Sequence, residues 1–198
     1  MARWKPDTSQ RLAIAALELF EERGYDNTTV IEIAERAGIT KSTFFRHFPD
    51  KREVLFGGGT MTGLVVDGIA AAPAEAGPFE AVAHALDVIG REAFPLDRRE
   101  FGARRQAVIA AHPELREREA LKGLGLTAAM IEALERRGVP DLTARVAAEL
   151  CAIAWKIAYE RWCDPAGDEE FGELARRALT EVHAVAAEPR PADHRRLL

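Results

Sequence analysis

The segment from Gly38 to Phe56, GITKSTFFRHFPDKREVLF, gathers the side chains best equipped for chemistry. Lys41, Arg46, His47, Lys51 and Arg52 stand against Asp50 and Glu53, with Ser42, Thr43 and three phenylalanines among them. Ammonium and guanidinium groups suit phosphate oxygens, while hydroxyl, guanidinium and apolar groups suit base edges. That is the chemistry of recognition rather than turnover. The chain offers no paired acid and base, nucleophile motif or phosphate-cradling loop, which argues against an enzyme. Five histidines are scattered, and Cys151 and Cys163 fit no zinc spacing. No metal, cofactor or catalytic residue is expected, and the two cysteines read as free thiols of a reducing compartment.

These basic groups lie in an acidic chain. The formal net charge is −5 over 198 residues. Residues 1–56 hold nine Lys/Arg and nine Asp/Glu, which leaves 18 and 23 of the 27 and 32 for the remainder. The whole excess of negative charge therefore sits after residue 56, and the chain divides into two parts of different electrostatic character. No run approaches the roughly 20 apolar residues of a membrane helix. The opening MARWKPDTSQ lacks the apolar core of a signal peptide. A cytoplasmic protein that does not engage membranes is expected.

The elements that must position the basic segment read as helices. Thr8 is an N-cap, and Leu12, Ala15, Ala16, Leu19 and Phe20 give one apolar face up to Gly24. Thr29 with Glu32 forms a capping box for a short helix that Gly38 breaks. Thr40 caps the next, which Pro49 ends. Asp50 with Glu53 reads as another box, opening a fourth helix at Lys51 that continues to about Ala71. Helix, glycine-containing turn, short helix is the helix-turn-helix arrangement. Its second helix would enter a DNA major groove on an apolar base of Ile33, Ile39 and Phe44. The alternative is a solvated basic surface with no partner.

Arg11 to Phe56 resembles the DNA-binding domain of the tetracycline-repressor (TetR) family of bacterial transcription regulators. The likeness rests on Phe20, Gly24 and Tyr25, on Thr28, Thr29, Ile33 and Ala34, on Ala37 and Gly38, and on Phe48, Pro49 and Lys51. It implies that Thr28 and Thr29 contact phosphate. It implies that Thr40, Lys41, Ser42, Thr43 and Arg46 meet the major groove, and that His47 and Lys51 grip the backbone. Phe45 stands where the family often has tyrosine, so either the hydroxyl contact to phosphate is absent here or Phe45 makes only apolar contacts, such as to a thymine methyl. The arm MARWKP, with Arg3 and Lys5, is either a minor-groove contact or a frayed end.

The resemblance further implies an all-α protein of about nine helices. The expected division is a helix-turn-helix domain at 1–56, a helical ligand-binding and dimerisation domain at 57–187, and a disordered tail at 188–198. Helices are expected at 79–94, 98–111, 114–137 (with a break near Gly123 and Gly125), 142–163 and 169–187. Gly57, Gly58, Gly59, Gly63 and Gly68 mark either close packing or a soft joint. Helix 142–163 is apolar nearly all round, which places it in a core and at a subunit interface. Its small-residue stripe with the last helix suggests Ala147, Leu150, Cys151, Ala154, Ala158, Leu174, Ala178 and Val182 at the interface of a homodimer. A dimer suits a palindromic double-stranded DNA operator. Phe101, Arg105, Gln106, Met130, Trp155, Tyr159 and Trp162 are candidate lining residues for a small-molecule effector, or else simply core. The C-terminal half loosely resembles actinobacterial regulators, some of which sense acyl-coenzyme A or other lipophilic compounds. The resulting expectation is a ligand-released repressor. A regulator controlled by a protein partner, or without a small ligand, is the alternative.

Overall fold

The computed structural model describes residues 7–57 and 60–187, and among them all regular structure is helical. The first helix, α1 (Thr8–Arg23), is capped one residue earlier than expected. Asp7 accepts from the Gln10 amide at 2.8 Å, and the Gln10 side chain returns a bond to the Asp7 amide. Thr29 and Glu32 form the expected box at the head of α2 (Val30–Arg36), and Thr40 caps α3 (Lys41–His47). Between them Gly38 takes φ +68°, a left-handed conformation that side chains disfavour. Arg11 of α1 reaches over this turn and donates to the Ala37 carbonyl. Ile33, Ala34, Phe44 and Phe48 close against Leu12, Ala16, Leu19 and Phe20, so the three helices share one core.

The expected fourth helix from Lys51 is broken. Asp50 does accept from the Glu53 amide at 3.0 Å, but only a 3₁₀ turn follows, Arg52–Leu55. Gly57 then adopts φ +66°, which an α-helix cannot contain. Helix α4 starts afresh at Thr60 and runs to Ala71. The remaining elements are α5 (Pro78–Ala93), a 3₁₀ turn Leu96–Arg98, α6 (Arg99–Ala111), α7 (Pro113–Arg136), α8 (Asp141–Trp162) and α9 (Phe171–Ala187). Helix α7 passes Gly123 and Gly125 without the expected break. Arg137 ties off the end of α4 by donating to the carbonyls of Ile69, Ala72 and Pro73.

Two cores result. The larger joins α4, α5, α7, α8 and α9. Gly68 lets α4 lie on α5, since a Cβ there would come within 2.7 Å of the Ala85 Cα. The smaller is the N-terminal unit, and it recruits Val108, Ile109 and Leu115 from α6 and α7 across the expected boundary at residue 56. Arg3, Lys5, Gly58, Gly59 and the expected tail at 188–198 lie outside the described residues.

Candidate nucleic-acid interface

Helix α3 is seated through Phe44, which is fully buried and contacts Phe45 and Phe48 edge-on or tilted. With that side fixed inward, the residues at 41, 42, 45 and 46 turn outward together, as helical spacing requires. Lys41, Ser42, Phe45 and Arg46 are all exposed, and Phe45 leaves about half its surface (48%) open. The Lys41 ammonium lies 6.0 Å from the centre of the Phe45 ring. His47 is exposed too, and its Nδ1 is 3.0 Å from the Ser9 hydroxyl of α1, which orients the ring. Thr40 spends its hydroxyl on the Thr43 amide at 3.1 Å, so it holds the helix start.

The electrostatics favour this face over the others. Several acidic residues of α1 and α2 are paired with arginines: Arg36 bridges Glu18 and Glu22, and Arg23 bonds Glu32 at 2.9 Å. Those bonds hold the Glu22 carboxyl below its ordinary range. Lys41 and Arg46 form no ion pair among the described residues. Helix α3 itself carries Lys41, Arg46 and no carboxylate, whereas the acidic residues of the unit's helices sit on α1 and α2. Such a face presents cations to phosphates and an apolar ring to a groove floor.

Three more residues expected at the interface do other work. Thr28 is buried, with its hydroxyl 2.9 Å from the Gly24 carbonyl and 3.3 Å from that of Leu19. It pins the α1–α2 connection and has no free face for a phosphate. Thr29 keeps its hydroxyl on Glu32 as the N-cap of α2. Lys51 is drawn inward as well: its ammonium donates to the carbonyls of Tyr25 (2.7 Å) and Thr28 (3.0 Å) and sits 4.0 Å over the Tyr25 ring. Burial lowers its pKa. The signal that sequence reading missed was the row of carbonyls left by the connection at residues 24–28, which require donors.

The seven candidate effector residues are spread over both cores. Met130, Trp155, Tyr159 and Trp162 belong to the larger core or pack on it, and Phe101 packs on the smaller. Trp155, Tyr159 and Trp162 surround Phe94, with Phe171 stacked on it at 4.5 Å. Arg105 donates to the Leu55 carbonyl at 2.7 Å and to the Tyr159 hydroxyl at 3.2 Å. Burial raises the Tyr159 pKa to about 12, keeping that hydroxyl protonated. Two surface clefts of about 470 and 310 Å³ lie elsewhere, at the junctions of α9 with α5 and of α9 with the end of α8, and none of the seven lines either. No group of His, Cys, Asp and Glu suited to a metal occurs among the described residues. Nor is any helix among them long and apolar enough to cross a membrane.

The expected dimer stripe is also corrected. Ala147, Cys151, Ala154, Ala158, Leu174 and Ala178 are buried within the chain, where they let α8 and α9 approach closely. Burial pushes the Cys151 thiol up to about 12. Leu150 and Val182 stay half-buried. The apolar face that α8 leaves open is the opposite one: Leu142, Val146 and Ile153 are exposed, with half-buried Leu150 between them and half-buried Ile157 following in register.

One connection was not foreseen. Glu53 is buried, and its carboxylate accepts from Arg118 at 2.8 Å and pairs with Lys122, both on α7. Burial alone would raise its pKa, but the bonds from Lys122 and Arg118 outweigh that and hold it low. Arg104 of α6 reaches Glu21 of α1 at 3.0 Å. The N-terminal unit is thus bolted to α6 and α7 by ion pairs as well as by apolar contact.

Residues 14–56 match the family model of bacterial regulatory proteins, tetR family. The transcriptional regulator TcmR of Streptomyces glaucescens is 51% identical over 47 residues, which are 24% of this chain and 21% of that relative. The match to that relative is therefore confined to a fraction of its length. Across the fold, a transcriptional regulator (TerR/AcrR family) of Aquifex aeolicus VF5 superposes with TM-score 0.54 at 18% identity, over 90% of this chain and 99% of that one. Thermus thermophilus FadR, a TetR-family repressor solved with lauroyl-CoA, gives TM-score 0.50 at 25% identity, over 93% and 98%.

Proposed function

We propose that this chain, which belongs to the tetR family of bacterial regulatory proteins, regulates transcription as a homodimer bound to a palindromic DNA operator. The observation that carries the reading is the outer face of α3, where Lys41, Ser42, Phe45 and Arg46 project together on a helix that carries no carboxylate. In this reading Arg46 and Ser42 read base edges in the major groove, Lys41 and His47 meet phosphates, and Phe45 packs on an apolar base group. The protein acts in the cytoplasm and not as an enzyme. Repression, relieved by a small lipophilic effector in the C-terminal body, is supported by the lauroyl-CoA complex of the Thermus thermophilus relative.

A second reading, a regulator without a lipophilic effector, is favoured by one observation: the candidate lining residues pack on one another and on the cores. Titration with lauroyl-CoA separates the two. Release of bound DNA supports the effector reading, and unchanged binding supports the other for acyl ligands of this kind.

Binding of fluorescent duplex DNA over a range of salt concentrations tests the shared premise. The logarithm of the binding constant should fall linearly with the logarithm of salt, and Lys41→Met should reduce the slope by about one. Binding insensitive to salt would count against the assignment of the α3 face.

A further inference from the structure

Arg99, the first residue of α6, is an unusual cation. It is 9% exposed, and it forms no ion pair with any carboxylate among the described residues. Its Nη2 donates to the backbone carbonyl of Glu169, while its Nε is buried without an acceptor. The guanidinium carbon lies 6.0 Å from the ring centre of Trp162, whose own indole Nε1 is likewise buried and without an acceptor. Two neighbouring side chains thus hold unsatisfied donors. A buried charge and buried N–H groups are costly unless an acceptor, best an anionic one, meets them.

Arg99 borders the cleft of about 310 Å³ between the end of α8 and the start of α9. Arg161 and Arg177 stand on the same cleft. Each is held by a glutamate, Arg161 by Glu181 at 2.7 Å and Arg177 by Glu169. Those pairings take up Glu181 and Glu169, while Asp164, the third carboxylate of the lining, accepts from the Ala166 amide and pairs with no cation among the described residues, Arg99 included. Both rim arginines are 40% or more exposed, so a ligand anion would compete with their glutamates for them. Leu174 is the one apolar side chain of the lining, so the cleft suits a polar anion and not a lipid chain.

We propose that this cleft is a binding site for a small oxyanion, a phosphate or carboxylate group, anchored by the buried guanidinium of Arg99 and closed by Arg161 and Arg177. A guanidinium fork matches either group through paired N–H bonds. The site stands apart from the α3 face, and the inference does not rest on the DNA-binding reading.

The experiment titrates the full chain with inorganic phosphate in place of chloride, at fixed pH and ionic strength. It follows thermal unfolding and the indole N–H resonance of Trp162, assigned with Trp162→Phe. A ligand that binds only the folded state raises the midpoint saturably. The expected result is a saturable rise and a shift of the Trp162 resonance in the wild type and in Arg145→Met, a surface control, with both lost in Arg99→Met. Should Arg99→Met fail to fold, Arg99→Lys keeps the charge without the fork and should need more phosphate for the same shift. Acetate in parallel distinguishes a carboxylate from a phosphate preference. Equal stabilisation of wild type and Arg99→Met, meaning an adventitious ion only, would overturn the proposal. So would the absence of a saturable shift with both anions.

Discussion

Lys41 and Lys51 are both lysines of the basic segment, yet they sit in opposite situations. Lys41 is exposed beside Phe45, whereas the Lys51 ammonium holds two carbonyls of the α1–α2 connection. Charge and spacing alone made them equivalent, because a sequence does not display where backbone carbonyls are left unpaired. Lys51→Met should therefore lower stability by about 1–3 kcal/mol, the worth of hydrogen bonds from a charged donor. At a temperature where it remains folded, it should leave the salt slope of DNA binding nearer the wild type than Lys41→Met does. Thermal unfolding and the salt titration check both, and a full unit of lost slope in Lys51→Met would place it on DNA after all. Arg46→Ala should alter which sequences are bound by about 1–3 kcal/mol at one base position, more than it weakens binding overall. Equal loss on every sequence would make Arg46 a phosphate contact. The residues of α3 were legible in advance because a seven-residue helix seated by Phe44 has little choice of face. Thr28 was not, because burial of a hydroxyl depends on the neighbouring helix.

The elements were largely readable from caps and breakers, with one instructive failure. Asp50 and Glu53 have the spacing of a capping box, and Asp50 does accept from the Glu53 amide. The Glu53 carboxylate, however, turns to Arg118 and Lys122 of α7, residues 65 and more positions away, which local spacing cannot reveal. Its depressed pKa means that the folded state binds fewer protons than the unfolded chain there. The stabilisation is thus complete above the unfolded value of about 4.3 and is lost as pH falls through the lower folded value. Glu53→Gln should cost about 1–3 kcal/mol near neutral pH and little at the acid end. Unfolding midpoints of the two proteins measured from pH 3 to 7 should converge on the acid side, and parallel curves would contradict the assignment. The glycines divide in the same way. A Cβ on Gly102 would lie 2.4 Å from the Trp162 ring, whereas one on Gly63 would meet nothing within 4 Å. Gly102→Ala should destabilise by roughly 1–3 kcal/mol through overpacking, and Gly63→Ala should stabilise by about 0.5–1 kcal/mol through helix propensity. Unchanged unfolding of Gly102→Ala would show that α6 and α8 do not cross this closely.

At the scale of the molecule, the bond from Arg105 to Leu55 and the pairs Glu21–Arg104 and Glu53–Arg118 join the DNA-reading unit to α6 and α7, so a shift of those helices would carry the unit with it. Assembly was the least legible level. An alanine stripe on α8 has the same pattern whether it faces α9 within the chain or a second copy, and here it faces inward. The exposed row Leu142, Val146 and Ile153 then takes the place of the dimer surface in our reading. The double variant Val146→Lys, Ile153→Lys should remain folded, sediment as a monomer and lose most of its DNA affinity. A dimer that survives these charges would move the interface elsewhere. The most direct test of the central claim is selection of bound sites from a random double-stranded DNA pool at stated salt, followed by sequencing. The account predicts an enriched inverted repeat, two half-sites about one helical turn apart or a multiple of it, lost when Arg46 and Phe45 are replaced. No enrichment by a folded, dimeric protein would contradict it, since the α3 face would then not read sequence on its own.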